Sequence, residues 1–202
     1  MNHNLPLEPE KYYHIYNHAV GNSNLFETED NYYFFLEKYK QYISPYVDTF
    51  AYCLMPNHFH LAVRIKDLTG FENLDIPTLT KFDEDSFSEF VSKQFSNFFS
   101  SYSQAFNKQQ SRRGSLFERP FKRKHITTDE YFKILIHYIH YNPVHLEFVN
   151  DLRDWKYSSY ESYFSSKTTL IKRDEAISWF GDVKNFEEFH KQKINEKILI
   201  EI

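Results

Sequence analysis

Residues 46–65, "YVDTFAYCLMPNHFHLAVRI", constrain the fold more than any other stretch. Two runs rich in β-branched and aromatic residues flank Pro56-Asn57. Pro presets its own φ and Asn tolerates an unusual one, so the pair reads as a two-residue turn. The runs 46–55 and 58–65 are then the two strands of an antiparallel hairpin. Side chains alternate along a strand. Phe59, Leu61, Val63 and Ile65 therefore share one face and suit packing against helices, while His58, His60, Ala62 and Arg64 share the other.

The flanking sequence supplies the rest of a small α+β domain. "YYHIYN" (12–17) reads as a first strand. Tyr32, Tyr33, Leu36, Tyr39 and Ile43 recur at helical spacing from about Glu29 to Ser44, where Ser44-Pro45 ends the helix. Residues 66–85 read as an acidic loop, and 86–109 as a helix with Phe87, Phe90, Val91, Phe95, Phe98, Tyr102 and Phe106 along it. After a basic loop, "KRKHI" (122–126) is expected to form a fourth, edge strand. Thr127 and Glu130 have the spacing of a capping box, which opens a helix that Pro143 should stop. The order is that of a ferredoxin-like βαββαβ fold, an antiparallel sheet with helices on one face. Its other face is left open unless something covers it. Residues 1–150 are expected to form the main domain, and 151–202 a C-terminal extension packed on it. The "SWFG" turn suggests a peripheral cover.

Composition narrows the setting. The single Cys53 cannot form an internal disulfide and suits a reducing cytoplasm. "MNHNLPLEPEKYY" lacks the apolar segment of a signal peptide, and no run approaches the roughly 18 apolar residues of a membrane span. The net charge of −4 argues mildly against nucleic acid, but it averages two opposite runs. Residues 66–90 carry seven acids against Lys66 and Lys81, and residues 108–124 carry seven bases against Glu118. That split suggests a surface for a polyanion, with solvated loop faces as the plainer alternative. The 21 Phe, 16 Tyr and 2 Trp must mostly be core.

Imidazoles at i and i+2 on one strand face can converge on a metal ion. Two exposed polar residues would look the same, so a metal needs a third ligand. The helix after Thr128 offers Asn142, whose amide oxygen can ligate, with the Tyr138 phenol one turn away on the same face. His137, His140 and Tyr141 compete for these roles, and spacing alone does not choose. A structural zinc site lacks a fourth ligand at suitable spacing.

Five motifs in register over about residues 12–165 resemble the single-tyrosine transposases of bacterial insertion sequences, whose His-hydrophobic-His (HUH) motif "LMPNHFHLAV" is similar to. "YIHYNPV" resembles their catalytic-tyrosine helix. The REP-associated tyrosine transposase branch is the nearer likeness, since its Tyr precedes an Asn-Pro pair by four positions, which falls on Tyr138. "YYHIYNHAVGNSNLF", "GSLFERPFKRKHI" and "WKYSSYESY" resemble that branch's first strand and loop, its G-x-L-[WF]-x-x-R-[FY] segment and its Trp and Ser-Ser-Tyr block. Other insertion-sequence transposases carry a Gln where this chain has the shorter Asn142. The resemblance implies an HUH catalytic domain with Tyr138 as nucleophile and His58, His60 and Asn142 holding Mg²⁺ or Mn²⁺. It implies single-stranded or hairpin DNA as partner, with Arg112, Arg113, Arg119, Lys122, Arg123 and Lys124 as backbone contacts. It further implies a bacterial cytoplasmic, nucleoid-associated enzyme, monomer or homodimer, that nicks and rejoins DNA through a 5′-phosphotyrosine. The alternatives are a hairpin-binding protein of the same fold without turnover, and a metal phosphodiesterase that uses water.

Overall fold

The computed structural model describes residues 5–67 and 84–192. Its elements run β1 (Tyr12–His18), α1 (Glu29–Tyr42), β2 (Val47–Met55), β3 (His58–Ile65), α2 (Glu84–Gln109), β4 (Lys122–Ile126), α3 (Asp129–His145), α4 (Arg173–Phe180) and α5 (Val183–His190). Short 3-10 turns at Leu152–Asp154 and Tyr160–Phe164 link α3 to α4. The strands form an antiparallel sheet in the order β2-β3-β1-β4, the ferredoxin-like arrangement expected from the sequence. Most of the acidic stretch, residues 68–83, lies outside the described residues.

The sheet separates two cores. On one face Ile15, Leu54, Phe59, Leu61, Val63 and Ile65 meet Phe35 and Tyr39 of α1 and Phe95, Phe98 and Tyr102 of α2. The other face is not open. Ala51, Cys53, Met55 and Ala62 pack beneath Phe132, Leu135, Ile136 and Ile139 of α3, together with Tyr160, Tyr163 and Phe186 from the C-terminal segment. The reason is legible in β2, which is buried at nearly every position, as a strand covered on both faces must be. A register shift between Thr49 and Ala51 adds Phe50 to this second core. The "SWFG" segment is therefore no peripheral cover. Trp179 sits with its ring centroid 4.4 Å from Phe132 and 5.4 Å from Phe50, and Gly181, at φ 94°, ends α4 in a conformation that favours glycine.

Two details of α3 depart from expectation. Its N-cap is Thr128, whose Oγ1 accepts from the Tyr131 amide at 3.2 Å, so the Thr127–Glu130 box does not form. The helix also runs through Pro143 to His145. Pro143 lies in the last turn, where only one intrahelical donor is lost, and its own carbonyl accepts from Phe148 at 2.9 Å. Neither change alters which face of α3 meets the sheet.

Candidate active site

The site forms where α3 crosses the second face of the sheet. Antiparallel register brings β1 beside the two histidines of β3: Tyr16 pairs with His60 and His18 with His58. β4 continues the row, with Lys122 opposite Tyr16 and Lys124 opposite His14. His58 and His60 are 6% and 4% exposed, so they are roofed by α3 rather than facing solvent. Their rings are nearly perpendicular, with centroids 5.1 Å apart. Tyr138 reaches down from α3 to within 5.3 Å of the His60 ring centroid, and Asn142 follows one turn later. Strand and helix thus bring together the four residues His58, His60, Tyr138 and Asn142.

Proton counting at His58 is informative. Its Nδ1 lies 2.7 Å from Asn57 Oδ1, and its Nε2 lies 3.0 Å from Asn142 Oδ1. Asn142 lies one turn after Tyr138 on the same face of α3, where its amide N–H lowers the phenol pKa against the effect of burial. Burial, with some opposition from Asn142, pushes the His58 pKa down to about 4, so the ring is neutral at pH 7. A neutral imidazole has one N–H and cannot donate to two oxygens. With the Asn57 amide turned to donate, a proton on Nε2 satisfies both contacts; with Asn57 Oδ1 toward the ring, the proton sits on Nδ1 and Nε2 is left without one. With the proton on Nδ1, Nε2 and Asn142 Oδ1 become two donor atoms aimed into the same space. Adjacent ligands of an octahedral cation with bonds of about 2.1 Å stand about 3.0 Å apart.

His60 is held in a comparable way. Its Nδ1 lies 2.9 Å from His14 Nε2, the kind of support that orients a ligating ring. Burial and the neighbouring imidazoles of His14, His58 and His18 keep its pKa well below the usual value. Two neutral imidazoles and an amide oxygen fit a divalent cation. Among the described residues no group of three or more His, Cys, Asp and Glu side chains is arranged to hold a metal, so a cation here depends on the amide. Burial raises the Tyr138 phenol to about 12, while the Asn142 donor opposes that rise.

Three residues of the site were missed in the sequence. His14 and Tyr16 flank His60, their rings stacked with each other at 4.5 Å, and the His18 ring stacks on His58 at 4.8 Å. The signal was the alternation in "YYHIYNH", which puts Tyr12, His14, Tyr16 and His18 on one face; it has meaning only once β1 is known to lie beside β3.

The basic run does not act as one surface. Lys122 and Lys124 lie on the site face of β4, whereas Arg123 points to the other face, where Nη1 donates to Ser92 at 2.8 Å and the guanidinium covers Phe121. Arg112 turns back onto the Ser115 carbonyl at 3.2 Å. Arg113 and Arg119 are exposed.

No family model matches the chain. A Haemophilus influenzae protein described as a REP-associated tyrosine transposase is 30% identical over 128 residues, 62% of this chain. The chain spans 66% of that relative's length. A solved REP-associated tyrosine transposase, bound to a REP hairpin, superposes with a TM-score of 0.58 at 13% identity. That match covers 83% of this chain and 87% of the other, and it establishes the shared fold. Fold and sequence thus relate this chain to the tyrosine transposases. Within that class it is a relative of the REP-associated branch.

Proposed function

We propose that this protein nicks and rejoins single-stranded DNA, using Tyr138 as nucleophile beside a divalent cation held by His58, His60 and Asn142. The observation that carries the reading is the convergence of His58 Nε2 and Asn142 Oδ1, 3.0 Å apart, beside His60, whose ring centroid lies 5.3 Å from that of Tyr138. A bound Mg²⁺ or Mn²⁺ would polarise a non-bridging phosphate oxygen. Imidazole ligands favour Mn²⁺ over Mg²⁺.

The chain's own residues supply the remaining chemistry. A phenol with a raised pKa is a weak nucleophile at neutral pH. The Asn142 amide, one turn after Tyr138 on α3, lowers the phenol pKa and would stabilise the charge that develops on that oxygen as its proton leaves. The Tyr138 oxygen forms a bond to phosphorus and the bond to the 3′ oxygen breaks. The 3′ oxygen takes up a proton and departs as a hydroxyl, and the 5′ phosphate stays on Tyr138. Attack by a 3′-hydroxyl on that phosphotyrosine restores a phosphodiester and returns the phenol. The superposed transposase is bound to a hairpin, and hairpin-bearing single strands are the substrate proposed here.

The second reading is a hairpin-binding protein without turnover. It is favoured by how closely His58 and Asn142 already engage one another within the chain. Incubation with labelled hairpin-bearing single strands and Mn²⁺, followed by denaturing electrophoresis, separates the two. The enzyme reading expects a protein–DNA band that survives denaturant and disappears in Tyr138→Phe, a loss of at least about a thousandfold. Binding without such a band supports the second reading, and strand cleavage that survives Tyr138→Phe supports a water-using phosphodiesterase.

A further inference from the structure

We infer that Lys122 and Lys124 form a phosphate-binding edge that takes the single-stranded segment beside the cleavage point, and that the remainder of the basic run does not share this task. The inference rests on the proposed function for the identity of the ligand, and on the register of β4 for its place. Lys122 and Lys124 are two residues apart on an edge strand, so both project from the face that carries His60 and Tyr16. Lys122 Nζ lies 5.9 Å from the Tyr16 ring centroid, and Lys124 Nζ lies 5.2 Å from that of Tyr131. Tyr131 is seven residues before Tyr138, two turns earlier on the same side of α3. The Tyr16 ring stacks on His60 with centroids 5.7 Å apart, and the Tyr138 ring lies 5.3 Å from the same His60. Two ammonium groups and three phenols therefore line one path from the β4 edge to Tyr138.

The charge balance on this path favours an anion. Lys122 has the half-exposed Glu118 at 3.1 Å, and among the described residues no carboxylate stands within ion-pair distance of Lys124. Lysine ammonium groups on flexible stems suit point contacts to successive phosphates, and the half-buried Tyr131 ring suits an unpaired base. Arg123, between the two lysines in sequence, faces the other side of the sheet and is engaged by Ser92 and Phe121. The segment taken here is single-stranded, since stacking on that ring needs a base free of a duplex.

Salt titration tests this without any chemistry. Binding of Tyr138→Phe protein is followed by fluorescence anisotropy with two probes, a labelled hairpin carrying a single-stranded tail and the same hairpin without it. On the tailed probe, Lys122→Gln with Lys124→Gln should flatten the slope of log K against log salt by about 1.4, two single-strand phosphate contacts. The tail-less probe should show no such change, Lys122→Arg with Lys124→Arg should restore the slope, and Lys156→Gln, whose Nζ pairs with Glu29 at 2.8 Å, should leave it unaltered. An unchanged slope on the tailed probe, or an equal loss on the tail-less hairpin, overturns the inference. Adduct formation by the wild type is scored separately. Lysine-dependent tail binding without an adduct removes the enzyme and keeps the edge; an adduct with an unchanged slope does the reverse.

Discussion

Two clusters of buried histidines lie on opposite sides of α3, and they differ in how their protons are spent. Behind the helix, His190 Nδ1 donates to the Phe186 carbonyl at 2.8 Å, which leaves His190 Nε2 as an acceptor for His140 Nδ1–H at 2.9 Å. His140 Nε2 then accepts from the Ser159 hydroxyl at 2.8 Å, and Ser159 Oγ accepts from the Tyr52 amide at 2.9 Å. Each link in that chain has one donor and one acceptor; in this cluster only His137 Nε2 lacks a partner. In front of the helix, His58 stands between two side-chain amides, and with both amide oxygens toward the ring it has one proton for two acceptors. A buried polar chain that closes on itself serves the fold, whereas one that leaves two acceptors face to face is costly unless something electropositive joins them. The second pattern belongs at a functional site, where local rules are broken for a purpose.

The largest effect expected from this contrast is at the front. His58→Ala should abolish the covalent adduct, about a thousandfold or more, and should also remove the rise in Tm that Mn²⁺ gives the wild type; saturation at a hundred times Kd corresponds to about 2.7 kcal/mol of stabilisation. An unaltered Mn²⁺ response in a calorimetric scan would mean that the front cluster holds no cation. Next comes the rear. His140→Ala leaves Ser159 and His190 without their partner in a dry core, and urea unfolding should show a loss of about 2–4 kcal/mol. A loss below about 1 kcal/mol would show that the rear chain contributes little beyond packing.

The third expectation concerns acid. Burial lowers the pKa of His137 to about 4 and of His140 to about 3. The unfolded chain takes up protons at these positions near pH 6.5 and the folded chain does not, so stability is full above about pH 6.5 and falls as pH drops toward the folded values. The slope is about 1.4 kcal/mol per pH unit for each such group. Urea midpoints measured from pH 7 to pH 5 should fall accordingly, and His140→Ala should reduce the dependence. A flat profile would contradict neutral burial of the rear cluster.

How much of this was readable beforehand follows the reach of each signal. The hairpin, the order of elements along the chain and the face shared by His58 and His60 come from local alternation, spacing and turn chemistry, which are properties of neighbouring residues. Tyr138 came from resemblance, since His137, His140 and Tyr141 are equally placed by spacing. The support from His14, Tyr16 and His18 depends on β1 pairing with β3 across 46 residues, as in His14 with His60, and nothing in either strand alone announces it. The split of the basic run needed the register of β4, because adjacent residues of a strand point to opposite sides. The second core was hidden for a different reason: beyond Phe50 and Phe132, its aromatic residues are scattered over short 3-10 turns and two eight-residue helices after residue 151.

The placement of α5 bears on how this chain can be cut. His190, near the end of the described residues, reaches His140 on the helix that also carries Tyr138. Phe186 packs face to face with Tyr163 at 4.3 Å. A boundary drawn at residue 150 would look reasonable for a ferredoxin-like unit, yet it would strip the helix that carries Tyr138 of its backing and expose an oily surface to water. Anyone transplanting this module into a fusion would have to carry residues through His190 along, because α5 forms the far wall behind α3.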